Sequence, residues 1–116
     1  MIESYRDLVV WQRAMELALC VYRATASFPK AELFGLTSQM RRAGVAVPSN
    51  IAEGYGRNSK GEYKQFLGIA RGSNLELQTQ LTLASQLGFL STADFGESEG
   101  RSNEVSKMLN SLLIKL

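Results

Sequence analysis

Apolar and polar positions along the chain fall into stripes of helical period. Taking about 100° per residue, Val10, Trp11, Ala14, Leu17, Ala18, Val21, Tyr22 and Phe28 share one side of the segment from Asp7 to Phe28. Gln12, Glu16 and Arg23 lie opposite. This predicts an amphipathic helix closed at Phe28–Pro29, because the residue before a proline disfavours the helical region. A second stripe holds Leu36, Met40, Ala43, Val47, Ile51 and Gly54. Pro48 falls inside it without changing its phase, which predicts one helix kinked at the proline rather than two. Ser49 and Asn50 stand where their side chains can take up carbonyls that Pro48 frees.

Gly54-Tyr55-Gly56-Arg57-Asn58 is a break, with two glycines able to adopt the left-handed conformation that ends a helix. Ser59 followed by Glu62 fits a capping box opening a third helix. That helix is expected to reach about Leu87, with Gly88 capping it and Tyr63, Phe66, Ala70, Ser73, Leu77, Leu81 and Ala84 as its apolar face. A last helix begins near Ser91 or Thr92 and becomes strongly patterned only from Val105 through Met108, Leu109 and Leu112, because Gly96 and Gly100 weaken its first turns. Four helices with short connections predict an all-α fold, an antiparallel up-down four-helix bundle, with residues 1–116 forming a single domain.

Composition narrows the chemistry. The 116 residues are 45% hydrophobic and 21% charged, with no apolar run near the ~20 residues of a membrane span. Asp7, Gln12 and Arg13 interrupt any leader-like apolar run, and the lone Cys20 excludes an intrachain disulfide, so a cytoplasmic location is expected. Cys20 reads as a half-buried thiol without a role, and Trp11 as an anchor of the core. There is no histidine. That removes Ser-His-Asp and Cys-His catalysis and imidazole metal ligands, and one cysteine cannot build a thiolate zinc site. No catalytic residue, metal ligand or cofactor site is nominated, and a binding or scaffolding role is expected instead.

Charge is uneven beneath a formal net of +2. From Thr37 to Leu75, Arg41, Arg42, Arg57, Lys60, Lys64 and Arg71 face only Glu53 and Glu62, a net of +4. From Glu76 to Glu104, Arg101 faces Glu76, Asp94, Glu97, Glu99 and Glu104, a net of −4. Lys60, Lys64 and Arg71 fall within about 40° of one another on the third helix. Arg41 and Arg42 lie off the stripe of theirs. These six residues are the candidate nucleic-acid contacts, since a basic cluster attracts phosphate backbones. The competing reading is a solvated face paired with neighbouring acids. Leu67 and Leu75 lie on or beside the basic stripe, as a wide core face or as an interface between subunits. The glycine-rich turn is either an anion site at the start of the third helix or simple helix punctuation, and Tyr55 within it stacks on a base or packs.

Three stretches carry a resemblance. They are Leu8-Val9-Val10-Trp11-Gln12 with the Phe28-Pro29 stop; Gln39-Met40-Arg41-Arg42-Ala43-Gly44-Val45-Ala46-Val47-Pro48-Ser49-Asn50-Ile51-Ala52-Glu53-Gly54-Tyr55-Gly56-Arg57; and Phe66-Leu67-Gly68-Ile69-Ala70-Arg71-Gly72-Ser73 with Glu76-Leu77-Gln78-Thr79-Gln80-Leu81. The chain resembles the bacterial four-helix-bundle proteins encoded within intervening sequences of 23S ribosomal RNA genes. The resemblance implies a homopentamer, and kinship with the accessory protein of diversity-generating retroelements, which associates with nucleic acid and a reverse transcriptase. It implies no catalytic activity, and it places Arg41, Arg42 and Arg57 at the family's basic motif positions. Gly44 stands where the family usually has alanine, Asn74 and Gln78 differ from its commoner residues, and the fourth helix matches least. Two function classes follow: an RNA- or DNA-binding homo-oligomer, or a scaffold whose basic surface docks a partner protein.

Overall fold

In the computed structural model, which describes all 116 residues, four helices account for most of the chain: α1 (Val9–Thr25), α2 (Leu36–Tyr55), α3 (Lys60–Gln86) and α4 (Thr92–Lys115). Single 3₁₀ turns precede α1 and α2 at Tyr5–Asp7 and Lys30–Glu32. α1 and α3 each pack on both α2 and α4, and the diagonal pairs stay apart. Paired residues give the directions. Arg41 meets Thr25, Gly54 faces Tyr63 and Phe66, Ser102 meets Asn74, and Ser98 meets Cys20, so every neighbouring pair runs antiparallel. The result is the expected up-down bundle, 43 Å long. No helix is long and apolar enough to cross a membrane.

α1 ends earlier than the Phe28–Pro29 step. Its last residue, Thr25, turns its hydroxyl back onto the carbonyl of Val21 at 2.8 Å, and Phe28 then folds into the core. α2 runs unbroken through Pro48, and all six residues of its stripe are buried. Proline has no N–H for the carbonyl four residues back. The expected compensation is not seen: Asn50 Nδ2 donates to the Ala46 carbonyl at 2.8 Å, not to that of Gly44, the one that Pro48 leaves without a donor.

Neither Gly54 nor Gly56 is left-handed; Gly56 has φ −79°, and Gly88 alone has positive φ, at 80°. Gly54 is needed for space. A Cβ there would lie 2.7 Å from Phe66 Cβ, so its absence lets α3 lie directly on α2's last turn. At the end of α3, Phe89 N–H donates to the Ala84 carbonyl and Gly88 N–H to that of Ser85, the paired bonds of a Schellman cap. Ser59 caps the start of α3 by accepting from Glu62 N–H at 3.1 Å. The reciprocal half of the box is altered: the Ser59 hydroxyl donates to the Glu62 carboxylate rather than the carboxylate reaching the Ser59 backbone.

Nineteen residues form the core, among them the fully buried Leu17, Met40, Ile51, Leu67, Leu77, Leu81 and Leu109. Each such side chain contributes about 1.5–3 kcal/mol of burial. α3's buried face is rotated from the predicted one. Leu67, Asn74 and Gln80 are buried, while Tyr63, Phe66 and Ser73 are only partly covered. Trp11 is likewise half-buried, edge-on to Tyr5 at 5.2 Å, and stands at the rim of the core rather than inside it.

α4 is helical from Thr92, because Ser91 caps it by accepting from Asp94 N–H at 3.0 Å and its first half packs through small polar residues. Ser98 and Ser102 are fully buried there. Ser102 donates to Asn74 Oδ1 at 2.7 Å, Asn74 Nδ2 returns a bond to the Ser102 carbonyl, and Gln78 reaches Ser102 and Ser106. Cys20 is buried against Ser98 at 3.3 Å. Such a seam holds register only while its members are satisfied.

The glycines differ in what they cost. Gly54→Ala is expected to lower stability by about 1–3 kcal/mol through overpacking. Gly68→Ala and Gly72→Ala, where a Cβ meets nothing within 4 Å, are expected to raise it by about 0.5–1 kcal/mol each. Urea melts followed by circular dichroism decide; a neutral Gly54→Ala would show that α2 and α3 do not depend on that contact.

Candidate nucleic-acid interface

The six candidate cations do not form one cluster. Consecutive helical residues diverge by about 100°, so Arg41 and Arg42 face different neighbours. Arg41 turns toward α1: its Nε donates to Thr25 Oγ1 at 2.9 Å, and its guanidinium lies 4.7 Å from the centre of the Tyr22 ring. It is half-buried and held on two sides, so much of its role is structural. Arg42 is exposed, makes no ion pair, and borders a cleft of about 300 Å³ between α2 and α3 with Ser73 and Glu76.

Arg57 stands just past the end of α2, which runs about 20 Å beyond Arg42 at 1.5 Å per residue. It pairs with Glu53 at 3.2 Å and lies over the Phe66 ring at 4.7 Å. Lys60, Lys64 and Arg71 are exposed along one line of α3 and carry no ion pairs. Gln78 continues that line two turns beyond Arg71 and bonds to Ser102 of α4 at 2.9 Å. The line therefore follows the α4 edge of α3, whereas Arg42 borders the α2 edge. The structure brings Lys60, Lys64 and Arg71 together and sets Arg42 apart.

The acids of the −4 segment are not partners of these cations. Glu97 bonds Arg101, Arg101 bonds Glu16, Glu16 bonds Arg13, and Arg13 reaches Glu104, forming an exposed ladder between α1 and α4. Exposed pairs of this kind contribute well under 1 kcal/mol each. Their electrostatic effect is to gather neutralised acids on the α1–α4 side. Of the six candidate cations, Arg57 alone has an ion-pair partner.

The glycine-rich turn serves as punctuation. Tyr55 packs edge-on against Tyr63 with ring centres 6.2 Å apart, and the carboxylate of Glu62 sits over the start of α3, where an anion would compete with it. Burial, with Tyr55 alongside, pushes the Tyr63 phenol above its ordinary value, so it stays neutral at physiological pH.

Leu67 requires a correction. It is fully buried and belongs to the chain's own core, so it cannot meet another subunit. The rotation of α3 that buries Asn74 carries Leu67 inward with it. Leu75 stays 49% exposed, as do Ile69 and Leu83 to similar degrees.

Sequence reasoning missed a groove on the opposite side of α2. Tyr22, counted there as a core residue, is 45% exposed and forms one wall with Val45, Leu33 and Phe34. Thr37, Ser38, Arg41 and Arg42 supply its polar groups. It continues along α1–α2 past Met15, Leu19 and Pro48. The available signal was Leu33-Phe34, an apolar pair in a connection, outside either helical stripe.

Comparison with known proteins adds a family and a fold. Residues 6–111 match the protein family described as 23S rRNA-intervening sequence protein. One similar solved structure, determined at 1.70 Å, is a protein of unknown function from the S23 ribosomal protein family of Bacteroides thetaiotaomicron VPI-5482. It matches with a TM-score of 0.81 and 21% identity, covering 90% of this chain and 97% of that one. At that identity the likeness speaks for the fold alone. No curated protein matches the sequence.

The two adjacent arginines separate by substitution. Arg41→Ala is expected to cost about 1 kcal/mol, from the lost Thr25 bond and the contact with Tyr22. Arg42→Ala is expected to leave the urea midpoint within about 0.5 kcal/mol of the parent. Equal losses in both variants would contradict the division of roles drawn from the geometry.

Proposed function

We propose that this chain, which belongs to the 23S rRNA-intervening sequence protein family, is a non-enzymatic, self-associating cytoplasmic protein that binds structured RNA by its phosphates. The observation that carries the reading is the unpaired state of Arg42, Lys60, Lys64 and Arg71 on exposed edges of α3 and its neighbours, while Glu97 and Glu104 of α4 engage Arg101 and Arg13 elsewhere. Arg57 contributes by exchanging Glu53 for phosphate, and Arg41 by fixing the wall beside Arg42. Beside the lysine line, Gly61, Gly68 and Gly72 put no side chain in the way of a backbone approaching α3.

A second reading is favoured by the exposed apolar surface along α1–α2. There the chain docks a partner protein, which the resemblance to the retroelement accessory protein would make a reverse transcriptase. Self-association as a pentamer belongs to the same resemblance, and the surface residues suited to it on α3 are Leu75 and Leu83.

Fluorescence anisotropy with a labelled RNA hairpin separates the two functions. Four phosphate contacts predict a log–log salt slope of about −3 to −4, roughly a hundredfold loss of affinity between about 50 and 200 mM salt. Each of Lys60→Ala, Lys64→Ala and Arg71→Ala is expected to lower the slope by about one. Absence of binding at low salt would sink the RNA reading in favour of protein docking. For assembly, Leu75→Lys with Leu83→Lys is expected to reduce the mass seen by light scattering without unfolding the chain. A parent that is already monomeric, or an unchanged oligomer, removes α3 as an interface.

A further inference from the structure

Phe34 is 93% exposed, far more open than any other aromatic side chain of the bundle. It borders the α1–α2 groove, whose volume is about 580 Å³, within the range of sites that hold small organic groups. Two features restrict what fits. The walls from Tyr22, Phe34 and Val45 are apolar and partly aromatic, which suits a flat ring. The charged groups are two guanidiniums, Arg41 and Arg42, and no carboxylate lines the groove, which suits an anion. Arg41 is fixed beforehand by Thr25 and Tyr22, so ligand binding does not have to order it. Arg42 has no ion pair to give up.

A flat ring joined to an anion is a nucleotide whose base is out of a duplex. We propose that this groove takes an unpaired nucleotide of the bound RNA, its base against Phe34 and its phosphate on Arg41 and Arg42. The proposal rests on the RNA-binding reading above and adds to it a preference for hairpin loops and bulges over duplex. Stacking is what distinguishes this site from the lysine line on α3, which meets phosphates alone. Stacked bases recognise single strands in this way without a sequence code.

The test uses the full chain with two RNAs of equal length, a hairpin carrying 2-aminopurine in an unpaired loop and a blunt duplex. The expected result is about tenfold or greater preference for the hairpin, with quenching of the 2-aminopurine signal. Phe34→Ala should abolish both while leaving the duplex affinity and its salt slope in place, and Phe34→Tyr should restore them. The exposure of Phe34 makes either variant harmless to folding, which circular dichroism checks. Equal affinity for hairpin and duplex, or a preference that survives Phe34→Ala, overturns the stacking site and leaves phosphate binding standing. Failure to bind either RNA overturns both. If Phe34→Ala alters the mass by light scattering and leaves hairpin preference untouched, the groove is a contact between protein chains and the proposal fails.

Discussion

Everything on the basic side of the molecule depends on how closely α2 and α3 approach at Gly54. With no Cβ at that position, Phe66 and Tyr63 rest on the last turn of α2, and a side chain there would collide at 2.7 Å. Arg57, which lies over Phe66, and Lys60, one turn before Tyr63, are therefore set by packing rather than by a flexible turn. For α2 to reach this contact in phase it must carry its stripe through Pro48 without a break. It does so, with Val47 and Ile51 on either side of the proline both fully buried.

The other half of the bundle is held differently. Between α3 and α4 the first contacts are amides and hydroxyls, with Asn74, Gln78, Ser102 and Ser106 bonded to one another. An unbonded polar group there costs about 1–3 kcal/mol, so a slip of α4 by one turn is opposed more sharply than leucine packing alone would oppose it. Asn74 and Gln78 find their partners on α4, so the polar groups of the two helices satisfy one another across a single interface. Gly96 and Gly100, which weaken the helix by propensity, stand on the exposed side of that seam, where a Cβ would meet nothing.

The fold was legible because hydrophobic periodicity is a one-dimensional record of burial. All six stripe residues of α2 are buried, and Gly88 does cap α3. Where the record fails, a polar residue has taken a core position. Asn74 and Gln80 are buried, so a wheel drawn through apolar residues alone rotates α3 and assigns Leu67 to the surface. Trp11 and Tyr22 fail for the opposite reason: large rings at the edge of a stripe pack by one face and leave the other to solvent. The cations were visible as charges but not as partners. Which arginine touches Thr25 and which borders open solvent is decided by the direction in which each neighbour lies.

Those directions also govern what a net charge can mean. Two arginines in sequence diverge by about 100° on a helix, so Arg41 and Arg42 are held differently, one drawn onto Tyr22 and the other left free, although both line the α1–α2 groove. Pairing within the basic segment removes charges in equal numbers, Glu53 against Arg57, and leaves its sum unchanged. Glu62 accepts from the Ser59 hydroxyl at the start of α3 but has no ion-pair partner and keeps its charge. The segment's exposed cations without an ion pair lie in two places, a line along the α4 edge of α3 and a single guanidinium at its α2 edge. A straight row of phosphates meets the line alone. An RNA that engages both must turn across α3, and duplexes turn readily where bases leave the stack. On the proposed RNA-binding reading, a base that leaves the stack to meet Phe34 supplies that turn, so the preference for loops and bulges rests on the α1–α2 groove.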